Sequence, residues 1–514
     1  MGILARVKIS WRWAALGALV VALLVHSLVY DFVCDDAYIS FVYARNLAEH
    51  GELVFNPGER VEGYTNFLWT VLLGLFMVVK VAPEIASRVL AFGFAAGTLV
   101  LSARLMARVR GRESTWDLLP PALLAASSGF ACWTSGGLET QMFTLLCILA
   151  IVWYLEDRLP WSGLAFACAA MTRPEGILVF GLTGFHALVR LAAERRLPRR
   201  GELLWPVAFA ALFVPYFLWR WHYYGWPFPN TYYAKAGGLP APRVQAQLHA
   251  FGAAYVWAWA IQSKALHAAP FVFAAFWKRS QAASLALVVT GGFLAYVISV
   301  GGDFMGLGRF VMPLFVLIAV AASLGLADLA DLLPERARAV PAMVVLGAFV
   351  ASQLMLTRWA QVPRADKGID RPGYLRVYAH DRGLIGKALA PHVRATDFAI
   401  VGGAGVQAYY ARLRGYDVFG LVSEKIAHEV PATNPRPGHS KWGPVSMLLA
   451  YQPTFVFSCY ALTPQPDPPA PPWRCGDASL WMARGYQKVT LFVPGLLESG
   501  EYYTFLKRKD RPWP

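Results

Sequence analysis

Residues 12–36 read RWAALGALVVALLVHSLVYDFVCDD. The run up to Tyr30 holds about the 20 apolar residues that cross a bilayer. It then stops on two adjacent carboxylates, Asp35 and Asp36. Arg6, Lys8 and Arg12 precede the run, as in a signal sequence. The residues after it are bulky and offer no small-x-small cleavage site, so the reading is an uncleaved anchor with its N-terminus inside.

The rest of the chain agrees with a membrane protein. Of its 514 residues, 57% are hydrophobic and only 15% charged; soluble domains carry about 25% charged residues. Lys plus Arg outnumber Asp plus Glu by 47 to 32. The basic residues fall in short clusters between apolar runs: Arg104 to Arg112, Glu194 to Arg200, Lys278–Arg279 and Arg336–Arg338. That pattern marks inside loops and contact with anionic lipid, not nucleic-acid binding.

With those clusters inside, spans are expected near 12–30, 84–105, 118–133, 138–155, 160–172, 176–193, 203–220, 251–277, 282–300, 310–330 and 340–356, about eleven in all. The run FLWTVLLGLFMVVK at 67–80 is short and reads as an interfacial or re-entrant helix. The chain divides into a membrane domain, 1–360, whose first outer loop is 31–82, and an α/β domain, 361–514, outside the cytoplasm. VGGAGVQA at 401–408 reads as a plain strand-to-helix turn, short of the full dinucleotide fingerprint. Cys132, Cys147 and Cys168 read as small core hydrophobes. Cys459 and Cys475 flank the Pro-rich ALTPQPDPPAPPWR and could form a disulfide outside the cytoplasm.

This topology places every unusual polar motif on the outer side, and a clustered set of ionisable groups at membrane depth marks a site. The spacing after Asp36 is that of a surface helix ending at Gly51, so Asp36 has a bland role as its N-cap. Asp35 has none, and either carboxylate could be a general base. Glu175 suits the start of a helix; Arg173 beside it could clamp a phosphate. In GGDFMGLGR, Asp303 and Arg309 could pair or serve the site. Lys235 is a further phosphate candidate, with Tyr232 and Tyr233 as interface anchors. Glu139, Tyr64 and Asn66 are supporting candidates. The histidines are scattered without ligand spacing, so no metal set is expected.

DDAYISFVYARNLAEHGELVFNPGERVEGYTN, TRPEG, PNTYYAK and GGDFMGLGR together resemble bacterial membrane glycosyltransferases of the GT-C fold. They are similar to the terminal arabinofuranosyltransferases of mycobacterial cell walls and, more distantly, to protein mannosyltransferases and the aminoarabinose transferases of lipid A. The resemblance implies an inverting enzyme of the cytoplasmic membrane that moves one sugar, arabinofuranose being one candidate, from a polyprenyl-phosphate donor to a glycan, lipid or protein acceptor of the cell envelope. It implies an essential acid in the first outer loop, here Asp35–Asp36, and lipid phosphate held by Arg173, Lys235 and Arg309. It calls for no nucleotide and no organic cofactor, and is compatible with a divalent cation. A transporter or flippase of lipid-linked sugars, and a non-catalytic envelope scaffold, are the alternative classes.

Overall fold

The computed structural model describes residues 11–236, 242–277, 281–466 and 468–513. Arg6, Lys8 and the Lys278–Arg279 cluster lie outside these residues. The membrane part is built of helices α1 (Trp11–Leu28), α2 (Asp35–His50), α3 (Phe67–Val78), α4 (Pro83–Arg110), α5 (Leu119–Ala126), α6 (Ser128–Ser135), α7 (Thr140–Leu155), α8 (Leu159–Thr172), α9 (Glu175–Ala193), α10 (Arg200–Tyr224), α11 (Asn230–Ala236), α12 (Pro242–Gln262), α13 (Ala265–Trp277), α14 (Gln281–Ser299), α15 (Met312–Ala330) and α16 (Val340–Ala360).

Among the described residues, seven helices are long and apolar enough to cross a membrane. Four of the eleven expected spans are not among them: 138–155 and 160–172 form single helices of only 16 and 14 residues, and two are broken. The run 118–133 forms two eight-residue helices, α5 and α6, and α6 meets α7 at a bend of 118°. The run 251–277 is split between α12 and α13 at Lys264, whose φ is +61°. The short apolar run at 67–78 is a single helix of 12 residues. At 1.5 Å per residue it reaches only about 18 Å, too short to cross about 30 Å of hydrocarbon.

Burial sorts the long helices. The span containing α15 is 89% buried, whereas the windows of α10 and α16 are 11% buried. A helix apolar all round belongs in the middle, and α15 is packed against α13 so closely that a Cβ on Gly325 would lie 1.8 Å from the Phe271 carbonyl oxygen. Small residues at such crossings let helix backbones touch where lipid offers no hydrophobic drive.

Beyond α16 the chain forms a hairpin, Ala365–Asp366 against Ile369–Asp370. It is tied to the loop after α14: the Asp370 N–H donates to the Phe304 carbonyl at 2.6 Å, and the Gly306 N–H to the Asp370 carbonyl at 2.9 Å. Helix α17 (Pro372–Leu389) leads into a five-stranded sheet. Its strands are β1 (Phe398–Val401), β2 (Arg414–Asp417), β3 (Phe455–Thr463), β4 (Tyr486–Phe492) and β5 (Tyr502–Arg508), in the order β2-β1-β3-β5-β4. Strand β1 runs parallel to both β2 and β3, while β5 is antiparallel to β3 and β4. Helix α18 (Val406–Tyr410) follows β1. Cys459 and Cys475 are disulfide-bonded, while Cys132 and Cys147 are fully buried thiols.

The α13–α15 crossing gives a direct test of the bundle. Gly325→Ala has no room, and overpacking of this kind costs about 1–3 kcal/mol. The substitution is expected to lower the melting temperature of the detergent-solubilised protein by several degrees, read by intrinsic fluorescence.

Candidate active site

Helix α2 ends as its sequence requires. Gly51 takes φ +73° and its N–H caps the Asn46 and Leu47 carbonyls, the left-handed stop that glycine supplies without strain. Its start differs from expectation. Cys34 occupies the N-cap position, and Asp35 and Asp36 are the first two helical residues. Asp36 is therefore not the cap; both acids sit in the first turn, where the exposed backbone N–H groups favour negative charge.

The two carboxylates face different neighbours. Asp35 Oδ1 accepts a hydrogen bond from the Val406 N–H at 2.8 Å. Burial, then the adjacent Asp36, pushes the Asp35 carboxyl up to about 7, against the opposing pull of the Val406 N–H and the Arg382 guanidinium. Asp36 is also raised, first by burial; Arg309 and Lys235 oppose the rise, and Asp303 and Glu139 add to it. Asp36 accepts no hydrogen bond and makes no ion pair among the described residues.

Around Asp36 the candidate residues separate into three groups. Arg309 is paired with Asp303: its Nε and Nη2 both lie 2.8 Å from Oδ2, while Asp303 Oδ1 accepts from the Met305 N–H at 3.2 Å. The guanidinium lies 5.5 Å from the Trp133 ring centroid, and that indole donates to the Gly306 carbonyl at 3.1 Å. The pairing foreseen for Asp303 and Arg309 is thus present. The loop follows the tryptophans closely: Gly308 has φ +69° and a Cβ there would lie 2.3 Å from Trp259.

Arg173 forms the second group. Its Nη1 donates to Glu139 at 3.0 Å and its Nε to Glu175 at 3.2 Å. Glu139 also accepts from the Asn66 amide at 2.9 Å, and Asn66 exchanges hydrogen bonds with Ser40 at 3.0 and 3.1 Å. The elbow between α6 and α7 makes this possible. Gly137 there has φ +82°, and a Cβ would meet Val33 at 2.6 Å, so the elbow tucks under the first loop. Arg173 has its charge matched by two carboxylates; it ties α9, the elbow and the first loop together. Glu175 and Glu139 are accordingly partners of a half-buried arginine, not helix-start charges alone.

Lys235, on α11, is exposed and makes no ion pair among the described residues. It lies beside Gly438 of the α/β domain, whose added Cβ would be 3.9 Å from its Cε. Tyr64 belongs elsewhere. It is buried, 4.5 Å from the Tyr43 ring, with its hydroxyl 3.1 Å from that of Tyr224, in an aromatic cluster that packs the first loop against α10. Among the described residues no three His, Cys, Asp or Glu side chains gather as a metal-ligand set.

Sequence reasoning missed the contribution of the α/β domain. The turn after β1 reaches Asp35 through Val406, with Arg382 and Tyr378 of α17 beside it. The three glycines of VGGAG were the available signal, since glycine admits close backbone approach. Arg382, inside an ordinary helical stretch, left none.

The ionic group around Arg173 sets up a comparison. Arg173→Met leaves two buried carboxylates unpaired, at a cost of about 3–5 kcal/mol, whereas Lys235→Met removes an exposed cation without a partner. Thermal unfolding should show a large drop in melting temperature for the first and almost none for the second.

No family model matches the chain. Over 227 residues it is 31% identical to a terminal β-(1→2)-arabinofuranosyltransferase of Mycobacterium tuberculosis, a match covering 40% of this chain and 35% of that protein. Over 340 residues it is 27% identical to the protein of the same description from Corynebacterium glutamicum, covering 56% of this chain and 47% of that one. The chain thus spans less than half the length of the curated relatives it matches. ArnT from Cupriavidus metallidurans, solved bound to undecaprenyl phosphate, superposes with a TM-score of 0.62 at 12% identity, over 98% of this chain and 99% of that one. The apo form of ArnT gives 0.59 at 13% identity, over 98% and 100%. The chain is therefore similar in sequence to terminal arabinofuranosyltransferases and has the GT-C fold of ArnT along almost its whole length.

Proposed function

We propose that the chain is a membrane glycosyltransferase that moves one sugar from a polyprenyl-phosphate donor to a cell-envelope acceptor, with arabinofuranose as the sugar. The observation that carries this reading is the placement of the acid pair. A carboxylate raised to about 7 stands next to one that faces two cations, Arg309 and Lys235. The curated relatives supply the sugar in this reading, and the lipid bound to ArnT supplies the donor class.

The chemistry divides between the two sides of the pair. The leaving group is a lipid phosphate, which needs charge neutralisation. Lys235, exposed and unpaired, is the principal phosphate ligand, with Arg309 reinforcing it from its pairing with Asp303; charge-assisted contacts of this kind are the strong ones. Asp35 is the general base. One of its oxygens is held by Val406 N–H, which leaves Oδ2 to take the acceptor hydroxyl proton. As that proton moves to Asp35, the acceptor oxygen bonds to the anomeric carbon and the carbon–phosphate oxygen bond breaks, leaving the electron pair on the lipid phosphate. One direct displacement inverts the anomeric centre. Asp36 keeps the field of the two cations balanced while no donor is bound. The basic clusters support a reading with the N-terminus inside and the α/β domain, with the acid pair, on the outer side of the cytoplasmic membrane.

The test is transfer by the purified protein from polyprenyl-phosphate arabinofuranose and a polyprenyl-phosphate hexose to envelope extract. Asp35→Asn is expected to lower transfer about 100- to 10,000-fold, the usual worth of a positioned base. In the wild type the base must be ionised, so kcat/KM should fall as pH drops below about 7, tenfold per unit, following the Asp35 carboxyl. Lys235→Met should raise the donor KM. Full activity in Asp35→Asn would overturn the assignment of the base, and transfer from neither donor would overturn the reading as an enzyme.

A further inference from the structure

We propose that the turn after β1 of the α/β domain is part of the catalytic machinery, with the Val406 backbone N–H acting as a positioning group for Asp35. The inference rests on the reading of Asp35 as the base and deepens it.

Four observations carry it. First, the hydrogen bond from Val406 N–H to Asp35 Oδ1, at 2.8 Å, joins residues 371 positions apart. Val406 is the first residue of α18, so its N–H has no partner inside that helix; Asp35 is what satisfies it. Second, the turn is cut to fit. A Cβ on Gly405 would lie 2.3 Å from the Asp35 carbonyl oxygen and 2.4 Å from both Cγ and Oδ2 of its side chain, and one on Gly403 would lie 3.0 Å from Oδ2. No larger residue at 405 lets the carboxylate into this position.

Third, Arg382 is 3% exposed and lies between two tyrosine rings, with its guanidinium carbon 4.9 Å from the Tyr378 centroid and 4.2 Å from that of Tyr460. Its contact with Glu498 is long, 3.5 Å, and Glu498 is shared with Arg474. Its Nη1 has no hydrogen-bond partner among the described residues. Its charge pulls the Asp35 carboxyl down, less than the Val406 N–H does. Fourth, β1 is where the strand order reverses: β2 lies on one side of it and β3 on the other, both parallel. Open α/β sheets bind ligands outside the carboxyl ends of strands at such a point. Here that place receives a carboxylate from the membrane part of the same chain.

The charged and titratable groups facing Asp35 are few. Asp36 and Cys34 stand on its own segment, Arg382 and Tyr378 on α17. Asp36 disfavours its ionisation; Val406 N–H and Arg382 favour it. The α/β domain thus supplies both groups that oppose the rise of the Asp35 carboxyl, and Val406 is the one bonded to it.

Val406→Pro isolates one of them. Proline is tolerated at a first helical position, and the change removes the N–H that Asp35 uses. A hydrogen bond to a charged group, converted at one pH unit per tenfold, is worth about one unit. The acid limb of the kcat/KM profile should therefore move up by about one pH unit relative to wild type. Gly403→Ala, measured in parallel, should lower kcat about tenfold or more with the donor KM and the melting temperature unchanged, because the one tight contact of its Cβ is Oδ2, at 3.0 Å. An acid limb at the wild-type position in Val406→Pro, or a uniform loss at every pH, overturns the inference; if that variant does not fold, an unchanged kcat in Gly403→Ala does so. Asp35→Asn, run alongside, separates the two levels: an active Asp35→Asn removes the base assignment itself, while an inactive one with an unmoved Val406→Pro profile removes only the positioning role.

Discussion

The arrangement depends on one ionic knot, Arg173 held between Glu139 and Glu175 at 3.0 and 3.2 Å. Its three members come from two stretches of chain: the elbow after α6 and the turn that joins α8 to α9. Charges at this depth are tolerated only when matched, so neither stretch can settle without the other. The elbow then carries Trp133 toward Arg309 and the Gly136 carbonyl to the Cys34 N–H at 3.1 Å. That last bond fixes the residue from which α2 starts, and hence the direction in which the acid pair points.

Much of this was legible in the sequence because it rests on chemistry that a sequence displays. The apolar runs, the acid pair, Gly51 as a helix stop and the Asp303–Arg309 pairing all follow from residue type and spacing. The broken spans were not legible. Residues 118–133 and 251–277 have span-like composition, and at the breaks the backbone is met by Gln353 of α16, which accepts from the Ser128 N–H at 3.0 Å and donates to the Gln262 carbonyl at 2.9 Å, a contact that composition does not record. Roles of individual cations were equally hidden. Arg173, Lys235 and Arg309 look alike as outward basic residues, yet one is matched twice, one once and one by nothing among the described residues. The difference lies in partners 34, 2 and 6 residues away, brought together by the elbow and the glycine loop.

The α/β domain shows the same limit from another side. Its texture and its strand-to-helix turn could be read locally, and the turn was read as ordinary. What makes it otherwise is a partner 371 residues earlier. The hairpin at 365–370 adds to the coupling, because its backbone bonds to Phe304 and Gly306 hold the start of this domain against the loop that carries Asp303 and Arg309. Asp35 and the loop of Asp303 and Arg309 are thus both bonded to backbone that follows α16.

The distance along the chain between Asp35 and Val406 also has a temporal meaning. A ribosome delivers the first long before the second, at about 5–20 residues per second. Every helix long and apolar enough to cross a membrane, among the described residues, is made before the turn that holds Asp35 exists. Asp35 therefore enters the membrane part of the fold without its backbone donor, and its finished geometry arrives only after Val406 has been made.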